Sequence, residues 1–485
     1  MACFSKEYLR DRIFACWLGK NIGGTLGTPY ECQTELNDIH GFASKAGEPL
    51  PNDDLDLQLV WLRAANELGP DAINSKVLGE YWISWVTPHW NEYGVCKANM
   101  RDGVLPPMSG EVNNAEWKHS NGAWIRTEVW ACMYPAMPEK AIRLAYEDAG
   151  VDHGFGEGTY AAIFVAAMES AAFVFKDVNV LLDIGLSKIP EDCRVARSVN
   201  IVRKAYAEGI SWKECRQMLV EDSKDLGWFQ APANLGFVTI GLLYGEGDFK
   251  QSLIYAVDCG DDTDCTGATL GALMGIMYGM EIIPDDWRAY IGDGIKSICI
   301  TNGHGRFPQD CNELTDCLMN LLPVTLRKDH EKLMKGESTL SFGETTDLSD
   351  IRAEDFYGRK FVESFAGRKP YSYTIEGIYS DVLVEFDQEP RIAPNGELTG
   401  RITLKTHTMP EQKHYRLRFL LPDGWTAEYE KNLFTPSIFS KYQESAVTTF
   451  RITAGENVEA VNRLIVEVVC AGRPTPILVP MQIMG

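Results

Sequence analysis

The stretch CGDDTDCTGATLGALMG, residues 259–275, puts three aspartates into four positions and then runs on in Gly, Ala, Thr, Leu and Met. The second half is satisfied by burial, as an apolar helix of small residues lying close to its neighbours. The first half then sits at the mouth of that helix. Like charges held out of water raise each other's pKa and destabilise a fold unless a cation offsets them. One carboxylate in a first turn caps free N–H groups and complements the helix dipole; three exceed what capping needs. A second stretch has the same form: PNDDLDLQLVW, residues 51–61, sets Asn52, Asp53 and Asp54 before a helical run with Leu57, Val60 and Trp61. Each cluster alone reads as an N-cap, and two of one form suggest that they meet.

Geometry narrows the second option. On a regular helix Asp262 and Asp264 point about 200° apart, so sharing an ion requires a loop-to-helix junction. Carboxylate, amide and hydroxyl oxygens are hard donors, suited to Mg²⁺, Mn²⁺ or Ca²⁺ and not to zinc. The charge balance agrees, with 68 Asp and Glu against 46 Lys and Arg, a net −22 over 485 residues. Such a field attracts divalent cations and opposes non-specific binding to nucleic acid or an anionic membrane.

The hydrophobic pattern changes once along the chain. Residues 1–325 carry helical periodicity: SKEYLRDRIFACWLGKNIGG opens on Ser5 as N-cap and closes on a Gly pair, and TYAAIFVAAMESAAFVF (159–175) is apolar on nearly every face, as a helix central to a bundle is. Residues 326–369 are polar and poorly periodic, a connector. From 370 to 485 seven β-branched, alternating segments recur between Pro, Gly and Asn turns, which predicts a small antiparallel β-sandwich. The expected architecture is a multidomain α and β chain. Thirteen scattered cysteines without a C-x-x-C pair argue against a disulfide framework or structural zinc. The charged N-terminus lacks a signal-type apolar core and no long apolar run appears, so a cytoplasmic protein is expected.

Four landmarks in order then resemble the ADP-ribosylglycohydrolase family, which includes dinitrogenase reductase-activating glycohydrolase and the ADP-ribosyl-acceptor hydrolases. They are GKNIGGTLGTPYE, PNDDLDLQL, NGAWIRTEVW and GDDTDCTGATLGA, spread over roughly residues 8–320. The resemblance implies an orthogonal all-α bundle around one or two Mg²⁺ ions, with Mn²⁺ as the alternative. The ligands it implies are Asn52, Asp53, Asp54, Asp262 and Asp264, with Glu31 as a glutamate beside the metals. Two positions depart from the family pattern: Asn52 stands where a Thr is usual, and Cys265 stands where a Thr usually donates an oxygen. Either Thr266, next along, substitutes as ligand with a small shift, or one site takes more water.

Other residues carry two readings each. Glu157, flanked by glycines, is a helix-start acid or a pocket carboxylate. His153, Gly154 and Gly156 form a turn that contacts substrate or only shapes the chain. Asn121, Trp124 and Arg126 lie in the family-like stretch, Arg126 either binding a phosphate or orienting Glu128, or forming a buried structural ion pair. His304 lies in a polar loop expected near the site. The implied reaction is hydrolysis at the anomeric carbon of a ribose or other furanose, with Glu31, Asp53 or Glu157 as the catalytic carboxylate. The substrate is a small-molecule glycoside or an ADP-ribosylated acceptor; nucleic acid enters only as a modified substrate, a membrane not at all, and a homo-oligomer is compatible with the sequence. The alternatives are a glycosidase on a carbohydrate or ribosyl metabolite without ADP-ribose, and a non-catalytic, metal-dependent binder of ADP-ribose or nucleotide.

Overall fold

A computed structural model of the chain describes residues 3–301, 306–326, 341–358, 361, 363, 368–406, 412–435 and 445–485. His304 and much of the 326–369 connector fall outside the described residues. The chain divides into two compact units. One joins Met1–Tyr93 to Glu116–Ala366, the other Gly94–Ala115 to Gly367–Gly485. No single helix among the described residues is long and apolar enough to cross a membrane.

The first unit is helical, apart from a short parallel pair between Cys3–Ser5 and Ser341–Gly343. Its opening helix, Lys6–Gly27, begins where expected: the Ser5 hydroxyl accepts the Tyr8 N–H at 3.1 Å. It does not stop at Gly23–Gly24 but continues to Gly27. The reason is tertiary. This helix packs against Thr263–Tyr278 so closely that a Cβ at Gly19 would lie 2.2 Å from the Gly271 carbonyl oxygen, and one at Gly23 2.0 Å from that of Gly267. The glycines recur every four residues, so one face of each helix is bare backbone. The crossing therefore carries the start of one helix and the end of the other to the same place. Helices Glu157–Ala172 and Ala231–Tyr244, buried nearly all round, complete the interior.

In the second unit the strands form two antiparallel sheets. Five strands run in the order Ser372–Ile375, Ser380–Phe386, Glu397–Thr406, Ser445–Thr453 and Thr426–Tyr429; four run Ile477–Met484, Val461–Cys470, His414–Leu420 and Asn432–Phe434. Alternate residues of both sheets, such as Val382, Ile402, Phe450, Leu417, Val466 and Met481, share one core. Thr426–Tyr429 and Asn432–Phe434 join the seven segments expected; at three or four residues neither shows a period that sequence could reveal. Val104, Met108 and Val112 enter the same core from the 94–115 segment, which Asn99 ties down by donating to the carbonyls of Ser109 and Val112.

Candidate metal centre

The two acidic stretches meet. Asn52 is the N-cap of the Asp53–Leu68 helix, its amide oxygen accepting the Asp54 N–H at 2.7 Å. Asp262 begins the Thr263–Tyr278 helix without such a bond, so its side chain is released from capping. Instead its Oδ2 accepts the Asn121 amide at 2.7 Å, while the Asn121 oxygen accepts the Trp124 indole N–H at 3.0 Å. Asp261 turns the chain into the helix. It takes a left-handed φ of 64° and exchanges backbone bonds with Cys32 and Gln33, which brings the Glu31 loop alongside.

Two groups of donors result. Glu31, Asp262 and Asp264 offer oxygens within 4.8 Å of one another; so do Asp54, Asp264 and Cys265 through two oxygens and a sulfur. Asp264 belongs to both, so two adjacent cation positions would share its carboxylate. The second group is fully buried, whereas Glu31 opens the first to solvent. Asp53 stands beside them and accepts the Tyr93 hydroxyl at 2.8 Å. Thr266 does not join: its hydroxyl donates to the Thr263 carbonyl within its own helix, at 3.1 Å.

Burial dominates the electrostatics. It raises the Asp262 carboxyl to about 7 and those of Asp53, Asp54 and Asp264 above the ordinary range; neighbouring carboxylates add to the shift at Asp54 and Asp264. Burial and Asp53 raise Glu31. Oδ2 of Asp54, Oδ1 of Asp262 and Oδ1 of Asp264 are buried and accept no hydrogen bond. Orphaned carboxylate oxygens at one place are what a divalent ion satisfies, so this donor set fits a metal. Beneath it lies Lys20, fully buried, 3.8 Å from Asp54 Oδ2 and donating to Glu128 and the Ile125 carbonyl at 2.7 Å each. Glu128 also accepts the Gln58 amide at 2.7 Å.

The remaining expected residues are committed to the fold. Arg126 donates to both oxygens of Asp152, at 2.8 and 3.0 Å, and to Asp148 at 3.0 Å, all three side chains buried. Arg126→Met takes the guanidinium away from two buried carboxylates and is expected to destabilise the protein by about 3–5 kcal/mol, measurable by urea unfolding. His153 lies 2.9 Å from Asp152 and 2.9 Å from the Ser120 hydroxyl, all three buried. Gly156 lets the chain pass the Lys118 carbonyl, 2.0 Å from where a Cβ would stand, and the Gly154 carbonyl accepts from Thr159 at 2.7 Å. Both oxygens of Glu157 cap another helix, accepting the N–H groups of Arg194 and Val195 at 3.1 and 3.0 Å. Its own N–H donates to His119 at 3.1 Å, so this helix start keeps no amide for a phosphate there.

Residues 5–323 match the ADP-ribosylglycohydrolase family model, well over half of the chain. The chain belongs to that family. Among solved structures it is similar to an "ADP-ribosylglycohydrolase-related protein complex", at 17% identity over 66% of this chain and 99% of that one, with a TM-score of 0.43. A FixG-related protein from Vibrio parahaemolyticus aligns at 12% identity over 24% of this chain and 95% of its own, with a TM-score of 0.18. No curated protein matches the sequence.

Within this ADP-ribosylglycohydrolase-family unit, three buried groups escape a reading of the sequence. Lys20 looks like a surface lysine in GKNIGG, and its partner Glu128 is 108 residues away. Asp56 accepts the N–H groups of Ile298 and Cys299 at 2.6 and 2.7 Å, pinning that segment to the Asp53–Leu68 helix. Its place in DDLDL, two residues past Asp54, was the available signal. A third, Glu92, is fully buried beside Asp152, Arg126 and Ser120, and burial with the Asp152 charge raises its carboxyl to about 8. The folded chain holds that proton where the unfolded chain, near 4.5, has released it. Stability from this group is therefore present in acid and declines as pH rises from about 4.5 to about 8, by at most about 1.4 kcal/mol per unit. Glu92→Gln is expected to flatten that part of the stability–pH curve in urea titrations.

Proposed function

We propose that the helical unit is a divalent-metal-dependent hydrolase of a glycosidic bond at the anomeric carbon of ribose or another furanose, with an ADP-ribosylated acceptor as substrate class. The observation that supports this reading most is the convergence of Asp54, Asp262 and Asp264, each with a buried oxygen that accepts no hydrogen bond. Mg²⁺ or Mn²⁺ would be held by these three with Glu31. When bound, such an ion supplies Lewis acidity toward the vicinal sugar hydroxyls and toward water.

The chain's own groups do the rest. Asn121 holds the Asp262 carboxylate in orientation, and Lys20 with Glu128 anchors the floor under Asp54. As the C1–N or C1–O bond breaks, positive charge develops on the ring and the carboxylate cluster opposes it. Water adds to C1, its proton passes to a carboxylate, and the leaving group takes a proton as it departs. Glu31 is the best placed base of the three expected, since it lies exposed at the rim beside Asp53. Glu157 is spent on capping.

The test is a hydrolysis screen of ADP-ribosylated acceptors and simple ribosides with full-length protein. Release of free sugar or ADP-ribose should require Mg²⁺ or Mn²⁺ and vanish on chelation. Full turnover in chelator-treated protein would overturn the proposal. Metal-dependent binding of ADP-ribose without turnover would favour a binder.

A further inference from the structure

We propose that Cys265 is itself a metal ligand, so that the inner of the two cation positions selects a thiophilic divalent ion such as Zn²⁺ or Co²⁺, while the outer position selects a hard ion such as Mg²⁺. This rests on the reading of the cluster as a metal centre and goes beyond it, because the two positions then differ in the metal they take.

Three observations carry it. The Cys265 sulfur lies 3.5 Å from Asp54 Oδ1 and within 4.8 Å of the Asp264 donor, all three residues buried. Asp264 keeps a buried oxygen that accepts no hydrogen bond and calls for a further partner, and Asp54 keeps one that faces only the Lys20 ammonium, at 3.8 Å. The neutral oxygen nearest in sequence, the Thr266 hydroxyl, is turned onto the Thr263 carbonyl. What this turn offers the inner position is therefore sulfur. The outer group, Glu31 with Asp262 and Asp264, is all oxygen.

Ligand chemistry then separates the two. Thiolate favours zinc and its neighbours late in the first transition row, and all-oxygen sets favour Mg²⁺. Two carboxylates and one thiolate also make three protein donors, the number after which a catalytic zinc keeps an open fourth position. Forming the sulfur–metal bond breaks the S–H bond and sends its proton to solvent, with no change of oxidation state. The competing arrangement is an S–H group that only donates to Asp54.

Full-length protein, chelator-treated and desalted, would be titrated with Co²⁺ and separately with Mg²⁺. Near-ultraviolet absorption reads the thiolate-to-cobalt charge transfer, and calorimetry reads affinity. The wild type should show the band at one equivalent of Co²⁺. Cys265→Ser and Cys265→Thr should both remain folded, lose the band and lose on the order of tenfold or more in Co²⁺ affinity, with Mg²⁺ affinity nearly unchanged. Exposed Cys32 stays in both variants, so a band it produced would persist. Oxygen-only Co²⁺ binding, with no band in the wild type, overturns the thiolate ligand and leaves the metal-dependent hydrolase standing. Failure to bind any divalent cation overturns both.

Discussion

Asp264→Asn is expected to make the metal-free protein more stable and to abolish the stability that divalent cations add. Asp264 is the carboxylate common to both donor groups, buried among Asp262, Asp54, Asp53 and Glu31. Without a cation it must either carry charge out of water beside like charges or hold a proton that the unfolded chain releases. An amide of the same shape does neither. The gain should be on the order of 0.5–2 kcal/mol, the range common for single stabilising changes. With metal the sign reverses. An ion at a hundred times its Kd adds about 2.7 kcal/mol to the wild type, and the variant forfeits that because a neutral amide offers one oxygen where the shared carboxylate offered two charged ones. Activity should fall at least about a hundredfold, the loss seen when a charge-stabilising group is removed from an active site. Thermal melts of both proteins, in chelator and in Mg²⁺, read both effects. Equal shifts with Mg²⁺ in the two proteins would show that Asp264 is not a ligand.

Much of this arrangement could be read from the chain alone, because its signals are local. Three aspartates before a run of small apolar residues announce a helix mouth with surplus charge, and a period of two with turn residues after 370 announces strands. The Ser5 cap is local as well. What could not be read is contact between distant residues. GKNIGG gives no sign that Lys20 is buried, because Glu128 and Asp54 supply the reason. Arg126 and Glu157 have the residue types of a binding pocket, yet their partners Asp148, Asp152, Arg194 and Val195 commit them to the fold. The Gly23–Gly24 pair looks like a helix end for the same reason: propensity is judged against water, and here the helix continues because its glycine face meets another backbone. The 94–115 segment packs with strands that begin some 250 residues later, and no left-to-right reading detects such a pairing.

Gly23→Ala and Gly267→Ala are expected to be among the most destabilising single-methyl changes available to this chain, although each improves helix propensity by about 1 kcal/mol. At Gly23 the new carbon would stand 2.0 Å from the Gly267 carbonyl oxygen and 2.3 Å from its carbon; at Gly267 it would stand 2.6 Å from the Gly23 oxygen. These neighbours are backbone, so no rotamer change makes room. Both helices must separate along a face that also holds Gly19 against Gly271 and Gly27 against Thr263. Interiors are close-packed and relax poorly, so the net loss should reach about 4 kcal/mol, at the exceptional end for point changes and a large part of a typical domain's stability. The loss should extend to function. Gly27 meets the first residue of the Thr263–Tyr278 helix, one position before Asp264. Spreading the crossing therefore moves Asp262 and Asp264 away from the Glu31 loop. Metal affinity should fall together with stability, whereas a cavity variant far from the crossing should lower stability alone. Gly294→Ala serves as the control, since its Cβ would meet nothing within 4 Å. Urea unfolding with parallel Mg²⁺ calorimetry on the three variants reads the coupling. Unchanged stability in Gly23→Ala would mean that the helices cross farther apart than their glycine faces indicate.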